Sequence, residues 1–211
     1  VTSIDGFFGA SEVFHENTTW AVFGQSTYEL NDKLTVTGGL RYTRDEKSLV
    51  VGDQNVDGFA LVIDAASVQD YAPLNVDDGK LSYEVSANYK VDNSTSVFAR
   101  YANGFRAQTI QARDVAFEGA PSVADAETIN SVEVGFKSDL LDDTLRLNAA
   151  AFYYVIDDIQ FSAIGGGANN TALVNADKGT GLGYEIDAQY LATDALMLTA
   201  GFSYNRTEIK D

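Results

Sequence analysis

The stretch from Leu34 to Thr43 most constrains what this chain can fold into: Leu34, Val36, Leu40 and Tyr42 occupy even positions, while Thr35, Thr37, Arg41 and Thr43 occupy odd ones. A period of two puts each set on its own face of a strand, whereas a helix would mix the two sets on every face. The same pattern recurs at Leu81, Tyr83, Val85, Ala87, Tyr89 and Val91, interleaved with Ser82, Glu84, Ser86, Asn88 and Lys90, and again over Tyr184 to Tyr190 and Leu196 to Tyr204. Looser alternation marks Thr18 to Leu30, Thr95 to Phe105, Thr128 to Ser138 and Leu145 to Ile156. Together these predict an all-β chain of about eight strands, each roughly ten to thirteen residues long.

The connections between these strands alternate in kind. Asn31-Asp32, Asp92-Asn93, Asp142-Asp143 and Thr193-Asp194 read as tight polar turns, and Lys47 to Asp78, Arg106 to Ala126 and Gln160 to Lys178 as long loops. Loops beyond about 12 to 15 residues are uncommon in compact soluble domains. Outer-membrane barrels, in contrast, join tilted strands of about ten residues by short periplasmic turns and long extracellular loops. Both prolines, Pro73 and Pro121, fall in the loops, so every strand rung can be paired. Trp20, Tyr28, Tyr42, Tyr83, Tyr89, Tyr101, Tyr153, Tyr184, Tyr190 and Tyr204 share the parity of the apolar residues and suit an interfacial girdle. No stretch supplies the roughly 18 apolar residues of a spanning helix, a requirement that barrels escape by hiding their lipid face in alternate positions. The pattern predicts an antiparallel, up-and-down transmembrane β-barrel architecture.

Composition removes most other chemistries. With 14 basic against 31 acidic side chains, a net charge of -17 leaves no basic face for unspecific nucleic-acid binding. The absence of Cys closes disulfides, zinc-thiolate sites and thiol nucleophiles, and the lone His15 reads as a loop residue, not part of a triad or a multi-histidine metal site. Asp142-Asp143 sits in a turn and Asp157-Asp158 points to opposite strand faces, so neither pair forms a glycosidase-type site. Asp53, Asn55, Asp57 and Asp64, with Gly58 at the turn, approach the spacing of a calcium loop, but Asp64 replaces the bidentate Glu and an acidic solvated loop is the favoured reading. Gly179-Thr180-Gly181-Leu182-Gly183 lacks the final glycine of a dinucleotide fingerprint and reads as a flexible lead into a strand. Gly165 to Asn170 reads as a mobile loop tip.

Four stretches, Thr18 to Lys47, Ser96 to Gln111, Glu127 to Gln160 and Asn175 to Tyr204, resemble in wording and order the β-barrel region of TonB-dependent outer-membrane receptors. Among the matching phrases are Gly39-Leu40-Arg41-Tyr42 and Tyr101-Ala102-Asn103-Gly104-Phe105-Arg106. The resemblance implies a transporter in the bacterial outer membrane whose barrel encloses a plug and receives energy through TonB, with no catalysis and no cofactor in this segment. Its substrate would be a scarce nutrient, by family resemblance an iron chelate such as a ferric siderophore. Family barrels have about 22 strands. Residues 1–211 are therefore expected to be a partial barrel domain, lacking the plug domain and the terminal strands, with outer-membrane lipid and the rest of the barrel as its partners. Two other readings compete: a complete eight-stranded barrel with a structural or adhesive role, and a soluble β-sandwich binding module.

If the polar parity faces a lumen, Arg41, Glu84, Lys90, Arg100, Glu133, Lys137, Arg146, Glu185 and Asp187 line it. The expectation concerns their orientation and assigns them no ligand contact. Asparagine triplets such as Asn93-Ser94-Thr95 match glycosylation acceptors and carry no weight in a bacterial outer membrane.

Overall fold

The computed structural model describes residues 10–55, 70–113, 115, 119–165 and 170–210. Eight of its strands form one antiparallel meander. They are β1 (Ala10–Glu29), β2 (Leu34–Asn55), β3 (Leu74–Lys90), β4 (Thr95–Arg106), β7 (Glu127–Leu140), β8 (Leu145–Gly165), β9 (Asn170–Thr193) and β10 (Leu196–Lys210). Two short strands, β5 (Thr109–Gln111) and β6 (Ser122–Ala124), pair with each other in the connection between β4 and β7. Every neighbour in the large sheet is also the next large strand in sequence, and no helix interrupts Leu34 to Thr43.

The four short connections lie at one rim, as their sequences anticipate. Asn31 Oδ1 accepts the amide hydrogens of Lys33 and Leu34 at 2.9 and 3.0 Å, and Asp92 Oδ1 accepts those of Ser94 and Thr95 at 2.9 and 2.8 Å. These side chains substitute for a backbone turn, which explains their choice over other polar residues. In the third turn Leu141, Asp142 and Asp143 adopt positive φ of 54°, 53° and 64°, and Thr144 Oγ1 donates to Leu141 O at 2.7 Å.

The opposite rim departs from the expectation. Strands run from 12 to 24 residues because β2, β8 and β9 continue well past the ten or so needed to span. Of the segment Gln160 to Lys178, the described residues are strand and not loop: β8 and β9 stay paired from Ile159↔Ala176 to Gly165↔Asn170, and 166–169 lie outside the described residues. In β2 polar residues on both faces, Arg44, Glu46 and Ser48 against Asp45 and Lys47, hide the extension from a reading based on apolar alternation, whereas in β8 and β9 one apolar face persists at Ile159, Phe161 and Ala163 and at Ala172, Val174 and Ala176. The lone His15 also stands in a strand, opposite Leu49 in β2.

Register sorts the side chains into two faces. Tyr28, Val36, Ala87, Ala99, Val134, Ala151, Tyr184 and Tyr204 form one continuous cross-strand row, and Thr27, Thr37, Ser86, Arg100, Glu133 and Phe152 form the adjacent one on the other face. All ten girdle aromatics belong to the first face, where Trp20 meets Tyr42 at 5.6 Å and Tyr184 meets Tyr204 at 5.6 Å between ring centroids. Tyr28, the penultimate residue of β1, is level with Tyr204, the ninth of β10, so the stagger is about one residue per strand, as tilted barrel strands require.

The apolar face is uncovered. Val22, Leu40, Val134 and Leu182 remain 67, 59, 53 and 57% exposed, and no second sheet lies over them among the described residues, which rules out a sandwich. Apolar area this continuous marks a lipid or partner surface. The sheet is also not closed: β1 pairs only with β2 and β10 only with β9, so the eight strands do not make a small complete barrel. Placing Arg at Val85, central on the apolar face, is expected to destabilise the full-length protein in lipid by about 2–4 kcal/mol. The neighbouring Ser86→Arg is expected to cost under about 1 kcal/mol. Denaturant unfolding in vesicles, followed by tryptophan fluorescence, checks the difference.

Candidate functional site

The polar face carries all of the singled-out charges. Arg41 (β2), Glu84 (β3), Arg100 (β4), Glu133 (β7), Arg146 (β8), and Glu185 and Asp187 (β9) fall on this parity by strand register, together with Lys90 and Lys137. They form three neighbourhoods. Arg100 Nη2 pairs with Glu84 Oε2 at 2.7 Å and stands opposite Glu133; Arg41 lies across the same hollow of about 470 Å³, shared with Phe23 and Gln25. Glu133, Lys137, Glu185 and Asp187 line a second hollow of about 500 Å³. Arg146 joins Asp139 at 2.8 Å near the short-turn rim, beside Lys90. These pairs are solvent-exposed, so each contributes little to stability; together they present a hydrated surface of mixed charge.

Aromatic rings interrupt this polar surface, and the reading by parity missed them. Phe23, Phe98, Phe152 and Tyr154 lie on the charged face, with Arg41 5.6 Å from the Phe23 ring centre and Lys137 5.9 Å from that of Phe98. Three of the rings lie across glycines on the neighbouring strand: Phe98 over Gly135, Phe152 over Gly183 and Tyr154 over Gly181. A Cβ at Gly135 would sit 2.7 Å from the Phe98 ring. The Gly179 to Gly183 string is therefore no flexible lead-in but part of β9, its alternate glycines forming a floor for bulky side chains of β8. The ring covers backbone that glycine leaves bare and restores the packing that glycine costs a strand. The signal was available as glycines spaced by two opposite Phe152 and Tyr154.

At the long-loop rim, beyond Tyr42 on β2, the polar face becomes buried. Asp45 and Asp78 stand opposite each other, each 9% exposed. Asp45 accepts hydrogen bonds from Lys47 Nζ and, at 2.5 Å, from Thr19 Oγ1; Asp78 Oδ2 accepts from Gln108 N at 2.6 Å. Burial alone would raise the pKa of Asp45, but the hydrogen bonds from Lys47 and Thr19 and the Lys47 charge outweigh it and hold the carboxyl below its ordinary value. Across the face, Gln160 uses its whole amide: Nε2 donates to Ala107 O and Asp125 O, both at 2.9 Å, and Oε1 accepts from Thr109 Oγ1 at 2.7 Å.

The calcium-like string has Asp57 and Asp64 outside the described residues, and no group of three or more potential metal-binding His, Cys, Asp or Glu occurs among the described ones. Asp157 instead pairs with Lys178 at 3.4 Å, and Asp158 takes a positive φ of 56° within β8.

A family model described as TonB dependent receptor-like, beta-barrel, matches residues 2–211. The chain belongs to this family. TonB-dependent receptors are outer-membrane transporters and receptors, not enzymes. Among curated proteins, the chain is 28% identical over 162 residues to the rhizobactin receptor of Rhizobium meliloti, covering 66% of this chain and 21% of that one. It is 25% identical over 197 residues to an uncharacterized TonB-dependent receptor of Haemophilus influenzae, covering 92% and 50%. Its fold matches the ferric yersiniabactin uptake receptor of Yersinia pestis with a TM-score of 0.72 at 19% identity, over 96% of this chain and 29% of that one. It also matches a copper transporter with a TM-score of 0.67 at 20% identity, over 90% and 29%. The chain thus spans between a fifth and a half of the length of these curated relatives.

Two expectations follow for this receptor wall. Gly183→Val forces a branched side chain against the Phe152 ring and the Tyr204 carbonyl, and is expected to cost about 1–3 kcal/mol, as overpacking does; unfolding in vesicles reads it. Because the folded pKa of Asp45 is depressed, its stabilising contribution is complete above about pH 4, the unfolded value, and is lost as pH falls through the lower folded one. Asp45→Asn is expected to flatten that acid limb, measured as amide hydrogen exchange around Gln108 between about pH 5 and 2.

Proposed function

We propose that this chain is a stretch of barrel wall from an outer-membrane receptor that imports a scarce nutrient, with an iron chelate such as a ferric siderophore as its substrate. The observation that carries the proposal is an open, eight-stranded sheet with one apolar and one charged face, both edge strands unpaired, inside a family of TonB-dependent receptors. Backbone groups on β1 and β10 need partners in lipid, and further strands of the same barrel supply them. The apolar face then meets lipid and the charged face becomes the lumen wall, which places Arg41, Glu84, Arg100, Glu133, Arg146, Glu185 and Asp187 against a plug domain or the water around it. The long-loop rim is extracellular and the Asn31 and Asp92 turns periplasmic.

Iron as the cargo is our reading of the family resemblance, with a rhizobactin receptor among the curated relatives. Energy reaches such a receptor through TonB acting on the plug, so no hydrolytic or redox site is required of the wall. Deleting the parent gene is expected to reduce uptake of ⁵⁵Fe, loaded onto siderophores from the iron-starved host's own culture supernatant, at least several-fold. Complementation restores it only in cells with TonB. Unchanged iron uptake in the deletion strain, with an intact copper or other nutrient phenotype lost instead, would overturn the iron assignment.

A further inference from the structure

The described residues of the connection between β4 and β7, 107–113, 115 and 119–126, lie against the polar side of the strand extensions that pass the ends of β4 and β7. They are tied at both sides of the sheet. On one side Gln108 donates its amide to Asp78 of β3 at 2.6 Å and accepts from Lys47 of β2 at 2.7 Å through its carbonyl. On the other side Gln111 donates to Thr171 O at 2.9 Å, Arg113 Nη1 bonds Thr171 Oγ1, and Ser122 Oγ accepts from Leu173 N at 2.9 Å, all on β9. Asn175 Oδ1 accepts the Asp125 amide at 2.8 Å while its Nδ2 donates to Asp125 O at 2.9 Å.

Gln160 is the buckle. Its side chain holds both arms at once, Ala107 and Thr109 on the outgoing arm and Asp125 on the returning one, while its own amide donates to Glu127 Oε2 at 2.8 Å. The apolar burial of the chain points the same way. Of the four buried apolar residues in the described chain, Ile110, Val115 and Ala124 belong to this connection, and the fourth, Leu49, lies at the same rim. Segments that open easily have few buried apolar contacts and exposed backbone hydrogen bonds; the arms around β5 and β6 have neither property.

We propose that the two arms carrying β5 and β6, Ala107 to Gln111 and Ser122 to Asp125, form a fixed strap along the mouth of the wall, clamped by Gln160, which narrows access to the polar face and stays in place while substrate passes. This rests on reading the polar face as the lumen of an importing receptor. The strap acts as a specificity element by shape: a solute must fit beside it, because opening it would strip partners from buried polar groups on β3, β8 and β9 together.

The test uses the full-length receptor in outer-membrane vesicles and in cells. Gln160→Leu is expected to speed tryptic cleavage after Arg113 by about tenfold or more, because local opening no longer breaks the clamp, with barrel folding verified by heat-modifiable gel mobility. Gln160→Glu, which keeps the size but loses both donors, is the second variant and is expected to fall between. A rate unchanged in both folded variants overturns the clamp. Next, Ser122→Cys with Leu173→Cys is bridged by a short bis-maleimide. The bridge is expected to form at the same rate with and without ferric siderophores from the host's culture supernatant, and bridged cells are expected to import ⁵⁵Fe within about twofold of unbridged ones, since a static element loses no motion. Import lost only on bridging, or a bridging rate that drops when the iron complex is added, overturns the fixed strap. Cleavage and bridging in the absence of iron need no transport, so they decide the clamp even where the parent imports no iron, an outcome that counts against the proposed substrate alone.

Discussion

In hydrocarbon a peptide N–H or C=O has no partner except another peptide group, and each one left alone costs several kcal/mol. This is the constraint on which the rest of the structure depends. It demands strands paired on both sides without interruption, and β2, β3, β4, β7, β8 and β9 meet it through continuous antiparallel ladders. It also keeps Pro73 and Pro121 out of the ladders and makes Asn31 and Asp92 close their turns with side-chain oxygens. β1 and β10 satisfy it on one side only. The wall is thus incomplete by hydrogen bonding, whatever its apolar content.

Once pairing is secured, the two faces can be chosen independently, and the alternation in the sequence is the record of that choice. One face carries Leu40, Val85, Val134 and Ile186, the other Arg41, Ser86, Glu133 and Glu185. Little of the sheet is buried within the chain, because its apolar side chains lie against no other layer of it. The packed interior that a soluble domain would have at its centre occurs instead at the rim, where Leu49, Ile110, Val115 and Ala124 are covered and Asp45, Asp78 and Gln160 find internal partners.

Strands that border lipid were legible in the sequence for this reason: lipid enforces a strict parity, so Leu34 to Tyr42 and Leu81 to Tyr89 announce themselves. Beyond the apolar band that pressure weakens, and in β2 Arg44, Glu46 and Ser48 break the parity. The extension of β8 and β9 keeps it at Ile159, Phe161 and Ala163 and at Ala172, Val174 and Ala176, a signal too short to outweigh the flanking glycines and asparagines, although its ladder is complete. The strap strands β5 and β6, three residues each, are too short for any period to register. Gln160, the residue with the most consequential hydrogen bonds at the rim, looks like any polar residue, since its importance lies in meeting Ala107, Thr109 and Asp125 from distant parts of the chain. The charged positions of the polar face were legible as a set because they inherit the strand parity; their partners, such as Glu84 for Arg100, required the register.

The assignment of faces is most directly tested by spin labels placed one at a time from Leu81 to Tyr89 in the full-length receptor reconstituted in lipid vesicles. Collisional access to oxygen, which concentrates in the bilayer, is compared with access to a water-soluble nickel chelate. Labels at Leu81, Tyr83, Val85, Ala87 and Tyr89 are expected to favour oxygen, and those at Ser82, Glu84, Ser86 and Asn88 to be shielded from it, giving an oscillation of period two with its oxygen maximum nearest Val85. Uniform access to the nickel chelate along the strand, or an oscillation with the parities exchanged, would contradict a wall whose apolar face meets lipid.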